Sequence, residues 1–149
     1  MTRSARNYGF SMKEAFPAEK SQIRNIYIFI SRFFSHSAFG GNAERLLNLF
    51  EMATDEIFTN IVKYGFEEPR DDAVVEVTVQ FEDNTVSMTF QDNGKPFDPL
   101  SSKEQDISLG IEGRLAGGWG IHIVKNSFDE VHYAFENGNN VFTITKRIT

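Results

Sequence analysis

Val75-Glu76-Val77-Thr78-Val79-Gln80-Phe81 and Val86-Ser87-Met88-Thr89-Phe90 place an apolar side chain at every second position, with Asp83-Asn84 between them. Period two marks a strand with one buried face, and two such runs joined by a polar pair read as a β-hairpin. Upstream the period changes. Ile23, Ile26, Tyr27, Ile30, Phe33 and Phe34 recur at three-and-four spacing, the face of a helix opening at Ala18 after Pro17. Gly40-Gly41 breaks it, and Asn42 is placed to cap a second helix over Ala43–Tyr64 that Gly65 stops. Phe10–Phe16 alternates loosely, as a first strand. Downstream, residues 98–117 are polar, glycine-containing and without period. A helix is expected over Trp119–Phe128, then a closing hairpin of Val131–Phe135 and Val141–Lys146 around Asn137-Gly138-Asn139. The order predicts an α+β fold, a two-layer sandwich with helices on one face of a mixed, mostly antiparallel sheet.

The 149 residues fit one domain with a real core, and 15 Phe and four Tyr make that core aromatic. A net charge of −6, with no run of like charges, argues against a cationic face for nucleic acid. Without cysteine there is no disulfide, thiolate metal site or Cys nucleophile. Residues 1–9 are polar, expected to be flexible, and carry no signal peptide. The most apolar stretch, Ile23–Phe34, is interrupted by Arg24, Asn25, Ser31 and Arg32 and falls short of the ~20 apolar residues a membrane span needs. A soluble, cytoplasmic protein is expected, with neither membrane nor nucleic acid as direct partner.

On the second helix Leu46, Leu49, Phe50, Ala53, Ile57, Phe58 and Ile61 form one apolar arc, and Glu44, Asn48, Glu51 and Asp55 lie opposite. Glu56, Asn60 and Lys63 fall on the flank between, at i, i+4 and i+7, and project along one line. Asn60 can give an oxygen to a hard cation. Lys63 can meet phosphate, and Glu56 can accept a proton from an attacking hydroxyl. A solvated Glu–Lys flank on an ordinary helix accounts for the same residues.

Asp92 follows the second hairpin strand, which ends in Phe90, sits at the sheet edge and begins Asp92-Asn93-Gly94-Lys95-Pro96-Phe97-Asp98. A strand-end carboxylate can accept a hydrogen bond from an adenine amino group, and Gly94 lets the backbone approach the base. A plain Asp-Asn-Gly turn is the other reading. Gly117-Gly118-Trp119-Gly120 opens the third helix, where exposed backbone N–H groups and the helix start favour anions. No Gly-Lys-Ser/Thr follows, so this is not a Walker A loop. A helix entry without a ligand fits equally. Trp119 suits a packing residue or a hinge. The histidines at 36, 122 and 132 lack ligand spacing.

The ordered set resembles the GHKL ATPase superfamily, which includes the gyrase and histidine-kinase ATP domains. Asn60-Ile61-Val62-Lys63-Tyr64 resembles its N box, Asp92 to Phe97 its first glycine box, and Gly118-Trp119-Gly120 its second. The resemblance spans about Phe10 to Lys146 and is closest to the stand-alone anti-sigma-factor serine kinases of bacterial partner-switching systems. It implies a Bergerat-type fold, ATP and Mg2+ as ligands, and residues 98–117 as an ATP lid. It further implies Glu56 as general base, Asn60 as Mg2+ ligand and Asp92 as adenine reader. Lys63 would meet phosphate and Tyr64 would lie on the base. Gly94 and Phe97 belong to the first box; Gly117, Gly118, Trp119 and Gly120 would hold phosphates. The implied reaction moves the γ-phosphate to a serine or threonine of a STAS-domain anti-anti-sigma protein, with a sigma factor as second partner and a homodimer as assembly. A non-catalytic, ATP-responsive binding module is an alternative. So is a histidine-kinase fragment, although His36 in Ser-His-Ser lacks the acidic neighbour of a phosphoacceptor.

Overall fold

The computed structural model describes residues 9–101 and 119–148. Five strands form one sheet: β1 (Phe10–Pro17), β2 (Val74–Glu82), β3 (Thr85–Asp92), β4 (Glu130–Glu136) and β5 (Asn139–Arg147), in spatial order β1-β2-β3-β5-β4. Among the described residues every pairing is antiparallel, within the mostly antiparallel sheet expected above. The reason lies in the first connection: the helices leave β1 at Pro17 and return the chain to its partner Val74, at the same sheet end. Both hairpins turn on two residues of positive φ, Asp83 and Asn84 (51° and 60°) and Asn137 and Gly138 (53° and 81°). That geometry matches the right-handed twist of the flanking strands.

Helix α1 (Ile23–Phe34) is preceded by a 3-10 turn at Lys20–Gln22. The predicted opening at Ala18 is not seen, because Ala18 is buried and donates its N–H to Ala73 O at 3.1 Å. The buried face of α1 is Ile26, Phe29, Ile30, Phe33 and Phe34. Phe29 joins the predicted stripe, while Tyr27 lies at its margin and donates its hydroxyl to Asp55. A 3-10 segment, Ser37–Asn42, contains the break, with Gly40 at φ 48°. Asn42 precedes α2 (Ala43–Asn60) but makes no capping bond; its side chain accepts from Arg45 Nη2 at 3.1 Å. The α-helical winding ends at Asn60, short of the predicted Tyr64, and continues as a π turn, Ile61–Gly65. Helix α3 covers Trp119–Ser127.

The helices pack on one face of the sheet. Val75, Val77 and Val79 of β2, Val86, Met88 and Phe90 of β3, and Phe142 and Ile144 of β5 point into that layer and are buried. Each fully buried side chain of this kind contributes about 1.5–3 kcal/mol. At the far end Phe34 meets Phe39 and Phe50 at centroid distances of 5.0 and 5.2 Å. Among the described residues no helix is long and apolar enough to cross a membrane.

Candidate functional site

Strand register builds the site. Asp92, the last residue of β3, pairs with Asn140 of β5, and the C-terminal end of α2 passes over both. Beneath it lies a small cleft walled by Ile57, Ile61, Pro99 and Phe142, with Asn60, Asp92, Asn140 and Tyr133 among its polar residues.

Asp92 is 3% exposed. Its Oδ1 accepts from Gly94 N at 2.9 Å and from Asn140 Nδ2 at 3.0 Å; Oδ2 receives neither bond. Burial raises the carboxyl above the usual aspartate range, against the downward pull of those two bonds. Asn140 is the hub. Its Nδ2 also donates to Lys95 O at 2.9 Å, and its Oδ1 accepts from Phe97 N at 3.0 Å and from the Tyr133 hydroxyl. Asn140 and Tyr133 are site residues that sequence reasoning missed. One signal was available: Asn140 is polar at an inward position of a strand whose next inward residues are Phe142 and Ile144.

Gly94 packs against the end of the π turn. A Cβ built on it would fall 2.8 Å from Gly65 O and 3.0 Å from Gly65 C, both backbone atoms, while Lys95 N donates to the same Gly65 O at 2.9 Å. The backbone cannot yield without breaking that bond. Gly94→Ala is therefore expected to cost about 1–3 kcal/mol by overpacking and to weaken nucleotide binding. Thermal melts and a binding titration check both effects.

Tyr64 and Phe97 stack face to face, with centroids 4.5 Å apart and planes inclined by 22°. Phe97 lines the cleft, whereas Tyr64 is not among its lining residues. Lys63 is exposed, its Nζ 5.1 Å from the Tyr64 ring centroid. The single line drawn through Glu56, Asn60 and Lys63 ends at Asn60, because the wider π winding turns the later residues off the α-helical face.

At the opposite end stands Glu56, half-buried on α2. A Cβ on Gly120, the second residue of α3, would overlap its carboxylate. The overlap is with the flexible end of the Glu56 side chain, not with backbone. Burial raises the Glu56 carboxyl above the ordinary glutamate value, and the Asp55 charge raises it further, so Glu56 holds a proton more readily than an exposed glutamate. Gly117 and Gly118, and residues 102–117 of the expected lid, lie outside the described residues, and of Trp119 only its place at the head of α3 is described. Of the segment expected as a lid, Pro99–Ser101 is a 3-10 turn, and Asp98 Oδ1 accepts from Leu100 N at 2.8 Å.

Among the described residues no three His, Cys, Asp or Glu are grouped to hold a metal by themselves. A single buried amide oxygen, Asn60, suits Mg2+, which keeps several waters and takes its other ligands from phosphate. The carboxylate at the buried strand end and the glycine-lined helix start likewise suit a base at one end and phosphates at the other.

Comparison with known families matches residues 16–146 to the histidine kinase-like ATPase domain, from the end of β1 to the end of β5. A search of curated proteins found no match. Domains of the matched family bind ATP, usually with Mg2+. The five-stranded sheet and the helix that brings Asn60 to the cleft thus stand on a known scaffold, and the chain belongs to the histidine kinase-like ATPase family, a GHKL-type ATP-binding domain.

Proposed function

We propose that this ATPase domain is a serine/threonine kinase and anti-sigma factor that phosphorylates a STAS-domain anti-anti-sigma protein and controls transcription by partner switching. The observation that carries the reading is the Glu56 carboxylate held against Gly120 at the start of α3. Nucleotide binding alone needs Asp92, Asn60 and the glycine boxes; a raised carboxyl at the phosphate end adds a proton acceptor.

Asp92 accepts the adenine amino group at Oδ2, while Asn140 and Gly94 N hold Oδ1. Asn60 would give one oxygen to Mg2+, and the ion when bound would supply charge neutralisation on the phosphates. The first N–H groups of α3 would meet the γ-phosphate, with Gly120 leaving room for it. Glu56 takes the proton of the partner's hydroxyl. As it does so, the hydroxyl oxygen bonds to the γ-phosphorus and the bond to the β–γ bridging oxygen breaks, leaving ADP. Positioning and charge neutralisation supply most of the rate. The chain works as a homodimer, holds a sigma factor when ATP is bound, and releases its STAS partner once that partner is phosphorylated.

Gly120→Ala separates this site from the fold. Its methyl meets the flexible end of Glu56, which can swing aside, so melting is expected to change little. Transfer is expected to fall at least ten-fold, because the displaced carboxylate no longer reaches the hydroxyl. Initial rates beside a thermal melt check it. The partner assignment is tested by gel filtration of the chain mixed with a candidate STAS-domain protein from the same genome. A complex that persists with ADP and dissolves as Mg-ATP is turned over supports the proposal. No complex, or one indifferent to the nucleotide, overturns it and favours a binding module with other partners.

A further inference from the structure

The β2–β3 ladder ends with the pair Val75 and Asp92. One step further, the Asn93 side chain takes the place of a ladder residue. Its Oδ1 accepts from Val74 N at 3.0 Å and its Nδ2 donates to Asp72 O at 2.8 Å. With those bonds carried by the side chain, the Asn93 carbonyl is left to accept from Arg70 Nη2 at 2.8 Å. Arg70 Nε donates to Asp72 Oδ1 at 3.0 Å, and the guanidinium lies 5.2 Å from the Phe66 ring centroid. Segment 70–74 is thereby bonded three times to the one residue between Asp92 and Gly94.

We infer that Arg70 is a positioning residue for nucleotide binding: through the Asn93 carbonyl it locks the turn that presents Asp92 and Gly94 to the base. The Arg70–Asp72 ion pair is solvent-exposed, 42% and 73% by side chain, and pairs of that kind add little to fold stability. The bond to Asn93 O is charge-assisted and acts on the turn itself. The planar fork of arginine serves Asp72 and Asn93 in two directions at once, which a lysine ammonium does not reproduce.

The test uses the full chain and three variants, titrated with ATP and with ADP and melted without nucleotide. Arg70→Ala is expected to weaken both nucleotides about ten-fold, the worth of one charge-assisted bond, and by the same factor, since they share the base. The nucleotide-free melting point is expected to move by only a few degrees. Arg70→Lys keeps the charge and is expected not to restore affinity. Asn93→Ala, which removes the side-chain half of the latch, is expected to weaken both nucleotides as well. Affinities within two-fold of wild type in Arg70→Ala would overturn the assignment. Full rescue by lysine would reduce Arg70 to a point charge, and a loss confined to ATP would move its action to the phosphates; either also overturns it. A lowered melting point with unchanged affinity would leave Arg70 a merely structural residue, again against the inference.

Discussion

Glu56→Gln is expected to slow phosphoryl transfer by about 100- to 10,000-fold, the usual worth of a positioned general base, with ATP affinity kept within about two-fold. The amide fills the same space against Gly120 and leaves Asn60 and Asp92 in place, so the nucleotide keeps its contacts. What is lost is the proton acceptor. The pH dependence carries a second signature. Burial, and then the Asp55 charge, raise the Glu56 carboxyl above its ordinary value of 4.5. Only the ionised form accepts a proton, so transfer is expected to fall on acidification, starting at a higher pH than for an exposed glutamate. That acid limb should vanish from the residual rate of Glu56→Gln. Single-turnover rates across pH, beside an ATP titration, measure both effects. A variant that no longer binds ATP would show that Glu56 holds the nucleotide rather than the proton.

Asp92→Asn is expected to weaken ATP binding by about 100-fold, near 3 kcal/mol, the upper range for a hydrogen bond to a charged group. The local network survives the change: the amide oxygen can still accept from Gly94 N and Asn140 Nδ2. The new amide nitrogen then occupies the Oδ2 position and presents a donor to the adenine amino group, itself a donor. Stability is expected to move the other way. Because the native carboxyl lies above its unfolded value, the folded chain binds more protons between the two. The Asp92 contribution is thus fully present below the unfolded value and is lost as pH rises through the raised native one. At neutral pH the buried charge costs stability, and Asp92→Asn should melt no lower than wild type without nucleotide. Melts at several pH values with a calorimetric ATP titration check the pair of effects; a lower melting point with unchanged ATP affinity would make Asp92 a structural turn residue.

Much of the scaffold was legible because local chemistry decided it. Strands β2 and β3 alternate at period two, and their turn, like that of β4 and β5, falls on residues that tolerate positive φ. The phenylalanine spacing of α1 and α2 survives as buried face. What stayed hidden depends on non-local pairing. Strands β3 and β5 are not neighbours in sequence, so nothing in the chain announced that Asn140 would stand opposite Asp92. The stack of Tyr64 on Phe97 joins an α2 extension to a loop after β3, a contact that no local pattern announces. The π turn leaves no residue-type signature, since a one-residue change of hydrogen-bond step uses the same side chains as an α-helix. Glu56 and Gly120 were each legible as motif residues, but their contact rests on the packing of α3 against α2.

The destination of the γ-phosphate is the most direct test of the kinase reading. In a single turnover, the chain is mixed with γ-labelled Mg-ATP and a candidate STAS-domain protein from the same genome, and the label is followed into protein, free phosphate and residual ATP. Label on a serine or threonine of the partner with wild type, and label retained in ATP with Glu56→Gln, is the expected result. Label released as free phosphate, or ATP bound and left intact by wild type, would contradict it.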